Sequence, residues 1–297
     1  MFDLSKTINK VQASFKKDER RASQIGIGNN LEIMSTDPAD YVVMPDWWNE
    51  YFGVMGLPIS KFVQVSGRPD SGKTTLCLIA MKRAQEQGFI VVYVETEGKT
   101  SEQDLISAGI DPNGVIVVNT AITEEVFDNS MRILKAVKDD YPDAKVLLVI
   151  DSYGNTVSMK DSEINLTEKV SQVGGAAKTN RVGIGAIKAQ MLKQKIACLV
   201  VNYSYANIGS VGETNAGGRA LEFMCGLILN AARTGNYEVS RDSVKVKAGI
   251  NGVYKVTKNH FTKGQLDADG KPKLFPKQMN FRISAEGFKI LPPKKGQ

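Results

Sequence analysis

The sequence predicts an α/β fold: a mostly parallel sheet with helices on both faces, extended by antiparallel strands toward the C-terminus. Three observations carry that expectation. Apolar, β-rich runs alternate with stretches long enough for helices. A glycine-rich turn joins one such run to an apolar-periodic segment. From Gly235 onward the runs become shorter, as antiparallel strands do.

In chain order, Leu4, Ile8, Val11 and Phe15 fall at helical spacing in a segment that ends in KKDERR and runs into SQIGIGNN. That pattern is an amphipathic helix followed by a short extended piece. Periodicity alone leaves open whether the helix packs on its own domain or on a neighbouring subunit. KFVQV reads as the first core strand and LCLIAMKRA as the helix after the turn. Further strands are expected at residues 90–98 (IVVYVETEG), 114–119 (GVIVVN), 145–152 (KVLLVIDS) and 196–204 (IACLVVNYS). One intervening helix is expected over 124–138, with Phe127, Met131 and Leu134 on one side, and another over roughly 180–193. VKVKAG, VYKVTKNHF and MNFRIS should be antiparallel strands with a hairpin around residues 267–271, and PPKKGQ a loose end. No internal repeat or low-complexity tract interrupts this order.

At 297 residues the chain can bury a large core, and one main domain over 31–290 is expected, preceded by an oligomerisation segment (1–30) and followed by a basic tail (291–297). With 42% hydrophobic and 24% charged residues, wholesale disorder is excluded. The net charge of +6 leans toward a polyanionic partner without requiring one. Cys77, Cys198 and Cys225 are far apart with apolar flanks, and the chain has a single histidine. Zinc is therefore not expected, and buried reduced thiols suit a cytoplasmic protein. No apolar run reaches about 18 residues and the start MFDLSKTINK turns polar at once, so a soluble protein without a membrane partner is expected.

GRPDSGKTT, from Gly67 to Thr75, has the G-x-x-x-x-G-K-[ST] spacing of a phosphate loop between a strand and a helix. Glycines let successive N–H groups turn inward, and the helix N-terminus adds partial positive charge. Gly67, Asp70, Ser71, Gly72, Lys73, Thr74 and Thr75 are the candidate nucleotide contacts. Lys73 should reach the terminal phosphates and Thr74 should hold Mg²⁺. A turn that binds nothing has no need of Lys and Thr after its second glycine.

Ligands of open α/β sheets gather at the carboxyl ends of the strands. Asp151 closes an apolar strand there, the position of a Walker B carboxylate that holds Mg²⁺. VYVETEG offers Glu95 and Glu97, two apart and so expected on one face. Glu97, nearer the end, is the preferred residue to orient an attacking water, with Glu95 as the alternative. The fifteen residues from Tyr203 to Gly217 read as a long polar loop with two tyrosines, before a helix beginning near Ala220. Between Tyr153 and Lys195 seven Lys/Arg stand against three Asp/Glu, so this side is locally basic. A basic and an aromatic loop at one edge would suit a nucleic-acid single strand, or a substrate lid.

With these pieces placed, nearly the whole chain resembles a RecA-type recombinase, more the phage UvsX-like branch than the bacterial protein. The phosphate-loop stretch is similar. VETEG aligns Glu97 with the family's water-activating glutamate, and VIDS aligns Asp151 with its Walker B aspartate. AGIDPNGVIV and TNAGGRALEF are similar to family segments, the latter to the end of the second DNA-binding loop. The resemblance implies a RecA-like ATPase core, ATP and Mg²⁺ as cofactors, and Glu97, Lys73 and Asp151 as catalytic residues. It also implies Lys160, Lys169, Lys178, Tyr203, Tyr205, Gly217, Gly218 and Arg219 as DNA contacts. In the family, the residues of KVTKNHF reach ATP held by the adjacent subunit; Lys258 matches a family lysine, whereas His260 stands where the bacterial protein has a second lysine. Asn202 matches a residue beside the γ-phosphate sensor, and Tyr203 replaces the sensing glutamine. The N-terminal helix and QIGIG resemble the family's subunit-docking arm, which favours oligomerisation. Bacterial relatives continue beyond the point matching Gln297 into another domain, so duplex capture is expected from the core, the basic tail or a separate protein.

The leading expectation is an ATP-dependent recombinase that polymerises on single-stranded DNA and pairs it with homologous duplex DNA, with a loader or single-strand-binding protein as a candidate helper. It would act in the cytoplasm, the host's if phage-encoded. Two other classes share these motifs: a ring-forming helicase-type motor, and a mediator ATPase that assists a recombinase without exchanging strands.

Overall fold

The computed structural model describes residues 5–15, 37–162, 175–206, 213–216, 218–241 and 244–292. Helix α1 covers Ser5–Phe15, and the expected extended piece after it lies outside the described residues, as does the tail from residue 293. A short two-stranded unit follows, β1 (Tyr41–Val43) against β2 (Gly56–Pro58), bridged by α2 (Asp46–Phe52). The core then alternates strand and helix: β3 (Phe62–Gly67), α3 (Lys73–Glu86), β4 (Ile90–Glu95), α4 (Glu102–Ser107), β5 (Val115–Asn119), α5 (Thr123–Asp140) and β6 (Val146–Asp151). After β6 come α6 (Met159–Ser162), α7 (Gly175–Met191), β7 (Ile196–Ala206), β8 (Glu213–Asn215) and α8 (Ala220–Met224). Four antiparallel strands close the chain: β9 (Cys225–Arg241), β10 (Val244–Asn259), β11 (Gln278–Ser284) and β12 (Gly287–Leu291).

These strands form a ten-stranded sheet in the order β12-β11-β10-β9-β3-β7-β6-β4-β5, with β8 added to β7. The six strands from β9 to β5 are parallel, and β10 to β12 extend the β9 side antiparallel. Central strands read as continuous apolar runs because both faces are covered. Val63, Val65, Leu147, Val149, Leu199 and Val201 belong to a cluster with Leu76, Cys77 and Ala80 of α3. Their strand neighbours Phe62, Leu148, Ile150, Cys198 and Val200 belong to a second cluster with α5 and α7. Each parallel strand thus feeds two cores by alternation.

Local signals explain several boundaries. Ser101 and Asp104 cap α4 reciprocally, and α5 carries Glu124 and Glu125 in its first turn and Lys138 in its last, matching the helix dipole. At the outer edge, β5 is less buried than its apolar sequence suggests: Val117 is 52% exposed, and among the described residues no strand pairs with its far side.

Three expectations change. VKVKAG and VYKVTKNHF are one strand, β10, which accommodates its interruption at AGING through register shifts against β9. The helix expected from Ala220 lasts five residues before the chain becomes β9, a strand the sequence reading missed. Residues 267–271 do turn tightly, with Asp267 N–H donating to the Lys271 carbonyl at 2.8 Å and Lys273 N–H to the Gln265 carbonyl at 2.9 Å, but the turn lies in the connection between β10 and β11 and its flanks form an isolated Leu266–Pro272 bridge instead of two strands.

The antiparallel extension is packed by an aromatic column. Phe281 stacks on Tyr254 with ring centroids 4.4 Å apart and on Phe288 at 5.4 Å. Both Tyr254 and Phe281 are fully buried. Phe281→Ala should therefore cost about 3–5 kcal/mol, read as a fall in the denaturant midpoint; a change below about 1 kcal/mol would mean the column does not hold β11 to the core.

Candidate nucleotide site

β3 ends on Gly67, and the chain turns through Arg68–Ser71 into α3. A Cβ at Gly67 would lie 2.1 Å from the Ala231 carbonyl oxygen of β9, so only glycine fits beside that strand. Gly72 caps α3 at φ 88°, a left-handed conformation that favours glycine. Ser71 Oγ donates to the Arg68 carbonyl at 2.8 Å, and Tyr254 OH donates to the Gly72 carbonyl at 2.7 Å, tying the turn to itself and to β10. The orphan amides of the first turn of α3 open onto the same place.

A cavity of about 390 Å³ lies there, lined by Pro69 to Thr75 together with Glu97, Asp151 and Tyr203. Of the expected nucleotide contacts, Asp70, Ser71, Gly72, Lys73, Thr74 and Thr75 all reach it, while Gly67 forms the base of the turn. Lys73 is buried; its Nζ donates to the Arg68 carbonyl at 2.7 Å and lies 4.6 Å from the Tyr203 ring centroid. Burial lowers its pKa, while Asp151 and Glu97 pull the other way.

Asp151 stands at the end of β6, and Thr74 Oγ1 donates to its Oδ2 at 2.8 Å. Only 6% exposed, its carboxyl is pushed up to about 6 by burial, with the nearby Glu97 charge adding to the rise and the Thr74 hydrogen bond opposing it. A hydroxyl and a carboxylate in contact, in a setting that disfavours uncompensated negative charge, fit a small hard cation. No group of three His, Cys, Asp or Glu residues suited to a metal occurs among the described residues. This donor set therefore suits an ion completed by phosphate oxygens and water.

The two glutamates separate. β4 stops at Glu95 and the chain bends, so they do not share one face as expected. Glu95 is buried and accepts from the backbone N–H groups of Glu97, Gly98 and Lys99, which makes it the anchor of the turn. Glu97 lines the cavity and accepts from Lys99, Tyr203 OH and Ser152 Oγ. Burial raises its pKa, but the bonds from Lys99 and Tyr203 outweigh that effect and hold it below the ordinary value.

Asn202 and Tyr203 point to opposite faces of β7. Tyr203 lies beside Gly67 in the parallel ladder and covers Lys73, with its OH on Glu97. It is thus a cavity wall, and it also borders the neighbouring opening lined by Arg68, Asn155 and Tyr205. Asn202 is fully buried on the other face; its Oδ1 accepts from the Tyr203 N–H and its Nδ2 donates to the Ala216 carbonyl at 3.1 Å. It fastens the returning chain and does not line the cavity.

The stretch expected as a 203–217 loop starts and ends as a ribbon, Ser204 opposite Asn215 and Tyr205 opposite Thr214. Tyr205 is 55% exposed on it. Gly218, Arg219, Lys160 and Lys178 are also exposed, whereas Lys169 and Gly217 lie outside the described residues.

Lys258 and His260 lie elsewhere. Lys258 pairs with Ile228 and Asn259 with Leu227, which is level with Val63 at the start of β3, so both residues sit toward the opposite edge of the sheet from the cavity. Lys258 Nζ donates to the carbonyls of Glu222 and Phe223 at the end of α8. Contact between this pair and a nucleotide requires a second copy of the chain.

The sequence reading missed three cations that line the cavity: Lys99, Arg233 and Lys247. The available signal for Arg233 was the alternation Leu227, Leu229, Ala231, Arg233 along β9, a strand that had not been expected. Beyond Thr75 and Ile283, which line both spaces, lies a hollow of about 720 Å³ with Trp47, Leu78, Ile79, Asp104 and Phe288 on its walls.

The profile of one protein family, described as RecA N-terminal domain, matches residues 4–268. Protein RecA of Malacoplasma penetrans is 28% identical over 210 residues, 70% of this chain and 60% of that protein. Protein RecA of Mycoplasma genitalium is 28% identical over 218 residues, 72% and 61% of the two chains, and that of Mycoplasma pneumoniae 26% over 214, or 71% and 60%. The chain thus spans about three fifths of the length of the curated relatives it matches.

A carboxyl whose folded pKa is raised favours the fold while protonated, so its contribution is present below the ordinary value of 3.8 and is lost as pH rises through about 6. Without nucleotide or Mg²⁺, Asp151→Asn should therefore stabilise the protein at pH 8 by on the order of 2 kcal/mol and have little effect at pH 4. Thermal melts at the two pH values measure the difference; equal shifts would show that Asp151 is not strained by its burial.

Proposed function

Because the chain belongs to the RecA N-terminal domain family, we propose that it is an ATP-dependent recombinase of the phage UvsX-like branch, assembling on single-stranded DNA and promoting its pairing with homologous duplex DNA. The observation that carries the reading is the convergence of Lys73, Thr74, Glu97 and Asp151 on one cavity at the carboxyl ends of β3, β4 and β6.

In this reading the amides of residues 70–75 cradle the polyphosphate and Lys73 leaves the Arg68 carbonyl for the terminal phosphates. Thr74 and Asp151 hold Mg²⁺, which would neutralise charge developing on the phosphoryl oxygens. Glu97 orients the attacking water after exchanging its bond to Lys99 or Tyr203 for one to that water, and Tyr203 reports the terminal phosphate in place of the family's glutamine. The hollow beyond Thr75 takes the base and sugar. Turnover is chiefly positioning and electrostatic stabilisation, so each of these groups acts by holding atoms in line.

Self-association is part of the same reading. Lys258 and His260 lie toward one edge of the sheet and the phosphate cavity at the other, so a head-to-tail contact can bring the pair of one copy to the nucleotide of the next. Such contacts give helical filaments when the rotation does not close. Residues 1–30 serve as the docking arm, 31–290 as the ATPase core and 291–297 as a basic tail. DNA is contacted by Tyr203, Tyr205, Gly217, Gly218 and Arg219 on one segment and Lys160, Lys169 and Lys178 on the other. A loader or single-strand-binding protein assists, and the site of action is the cytoplasm, the host's if phage-encoded. Among the described residues no helix is long and apolar enough to cross a membrane.

Glu97→Gln should bind ATP and single-stranded DNA normally and lower steady-state ATP hydrolysis by at least about 100-fold; wild-type turnover would move the catalytic role away from this residue. Lys73→Ala should lose nucleotide binding in equilibrium titration. Negative-stain microscopy with single-stranded DNA and a non-hydrolysable ATP analogue tests the assembly. Helical filaments requiring both ligands are expected; closed rings would replace the recombinase with a motor, and dispersed particles with a mediator.

A further inference from the structure

The β9–β10 hairpin overshoots the sheet. β3 ends at Gly67, level with Ala231, yet β9 continues to Arg241 and β10 returns from Val244. On β9 the side chains facing α3 alternate: Leu227, Leu229 and Ala231 belong to the cluster that holds Leu76, Cys77 and Ala80. Arg233 is next in that alternation and the first beyond the level of the phosphate loop, so it emerges on the loop's side and lines the cavity. Lys247 lines the same cavity from β10, next to the register shift between Lys247 and Gly249 that re-aims this strand.

The hairpin is braced from its other face. The Arg282 guanidinium lies 3.7 Å from the Tyr237 ring centroid and donates to Asn251 Oδ1 at 3.0 Å, and Asn251 Nδ2 donates to the Asn236 carbonyl at 3.3 Å. Arg233 donates in turn to Asn236 Oδ1. Its guanidinium is held at the cavity wall by that hydrogen bond.

The cavity's two other cations have partners of their own. Lys73 is under Tyr203 on the Arg68 carbonyl and Lys99 is paired with Glu97. Lys258 and His260 cannot reach the cavity of their own chain. We propose that Arg233 and Lys247 bind the terminal phosphate of a nucleoside triphosphate held by the same chain, which makes the projecting hairpin a phosphate clamp in cis. The proposal rests on the ATPase reading, and it adds residues to the site that no second subunit need supply.

The test is equilibrium binding of fluorescent ATP and ADP analogues with Mg²⁺, without nucleic acid and at a protein concentration where sedimentation shows monomers. The variants are the double substitution Arg233→Ala/Lys247→Ala and the charge-preserving exchange Arg233→Lys/Lys247→Arg. Both residues are exposed outside the core, and circular dichroism verifies the fold of each variant. Loss of two charge-assisted contacts should weaken ATP binding by at least about tenfold, with ADP affinity changed by less than about threefold and most ATP affinity kept in the exchange variant. Unchanged ATP affinity in the alanine variant, or equal losses for ATP and ADP, overturns the clamp and leaves the ATPase reading standing. A wild-type protein that binds neither nucleotide overturns both.

Discussion

The structure depends on the contact between the phosphate-loop backbone and the strands beside it. Gly67 runs against the Ala231 carbonyl with no room for a side chain, and the Gly72 carbonyl takes the hydroxyl of Tyr254. That hydroxyl is at the end of an aromatic column formed with Phe281 and Phe288. The turn is therefore clamped by β9 on one flank and by the antiparallel extension behind it. A phosphate loop needs only a strand and a helix to form, but here its shape is fixed by β9 to β11, which arrive more than 150 residues later in the chain. This explains why a recognition element shared by many proteins sits in a sheet whose C-terminal strands cannot be removed without loosening it.

The same clamping sets the electrostatics. Burying Asp151 behind Thr74 raises its carboxyl to about 6, and burying Lys73 lowers its ammonium. Each group is thus moved toward neutrality by desolvation, and each is partly held in its charged form by the other. A polyphosphate with a divalent cation would complete the set: negative oxygens opposite Lys73 and positive charge against Asp151. The site is organised around a charge distribution it does not itself contain, which is how preorganised sites favour one ligand over water.

Much of the parallel core was legible in the sequence because two-sided burial leaves continuous apolar runs, and the polar residue ending each run marks the ligand edge. Asp151 was found that way. The choice between Glu95 and Glu97 was not settled by spacing, since it depends on where β4 stops and on three backbone amides that converge on Glu95. β9 was missed because LEFMCGLILN is apolar without a period, and a five-residue helix followed at once by a strand leaves no boundary signal. That miss concealed Arg233, and with it the hairpin wall of the cavity. Asn202 and Tyr203 illustrate a different limit: adjacent residues of a strand face opposite ways, and the motif alone did not tell which of the two lines the cavity.

Tyr203 links the cavity to the surface within a single strand. Its backbone pairs with Gly67, its ring covers Lys73 and its hydroxyl holds Glu97. The next residue, Ser204, already belongs to the ribbon with β8, and Tyr205 beyond it is exposed. A phosphate that draws Lys73 from beneath the ring, or a water that displaces the hydroxyl from Glu97, changes what holds Tyr203 in place. The ribbon is tied to the same strand, because Asn202 on the other face bonds both the Tyr203 amide and the Ala216 carbonyl at the ribbon's return. Coupling between two sites requires an element whose arrangement both of them bias. In the proposed reading that element would be three consecutive residues of β7. A phenol also differs from a carboxamide in what it can transmit: it offers one proton to the carboxylate and a ring face to the ammonium. In the proposed reading, the state of the Lys73–Glu97 pair, rather than the phosphate alone, is what the ribbon would sense.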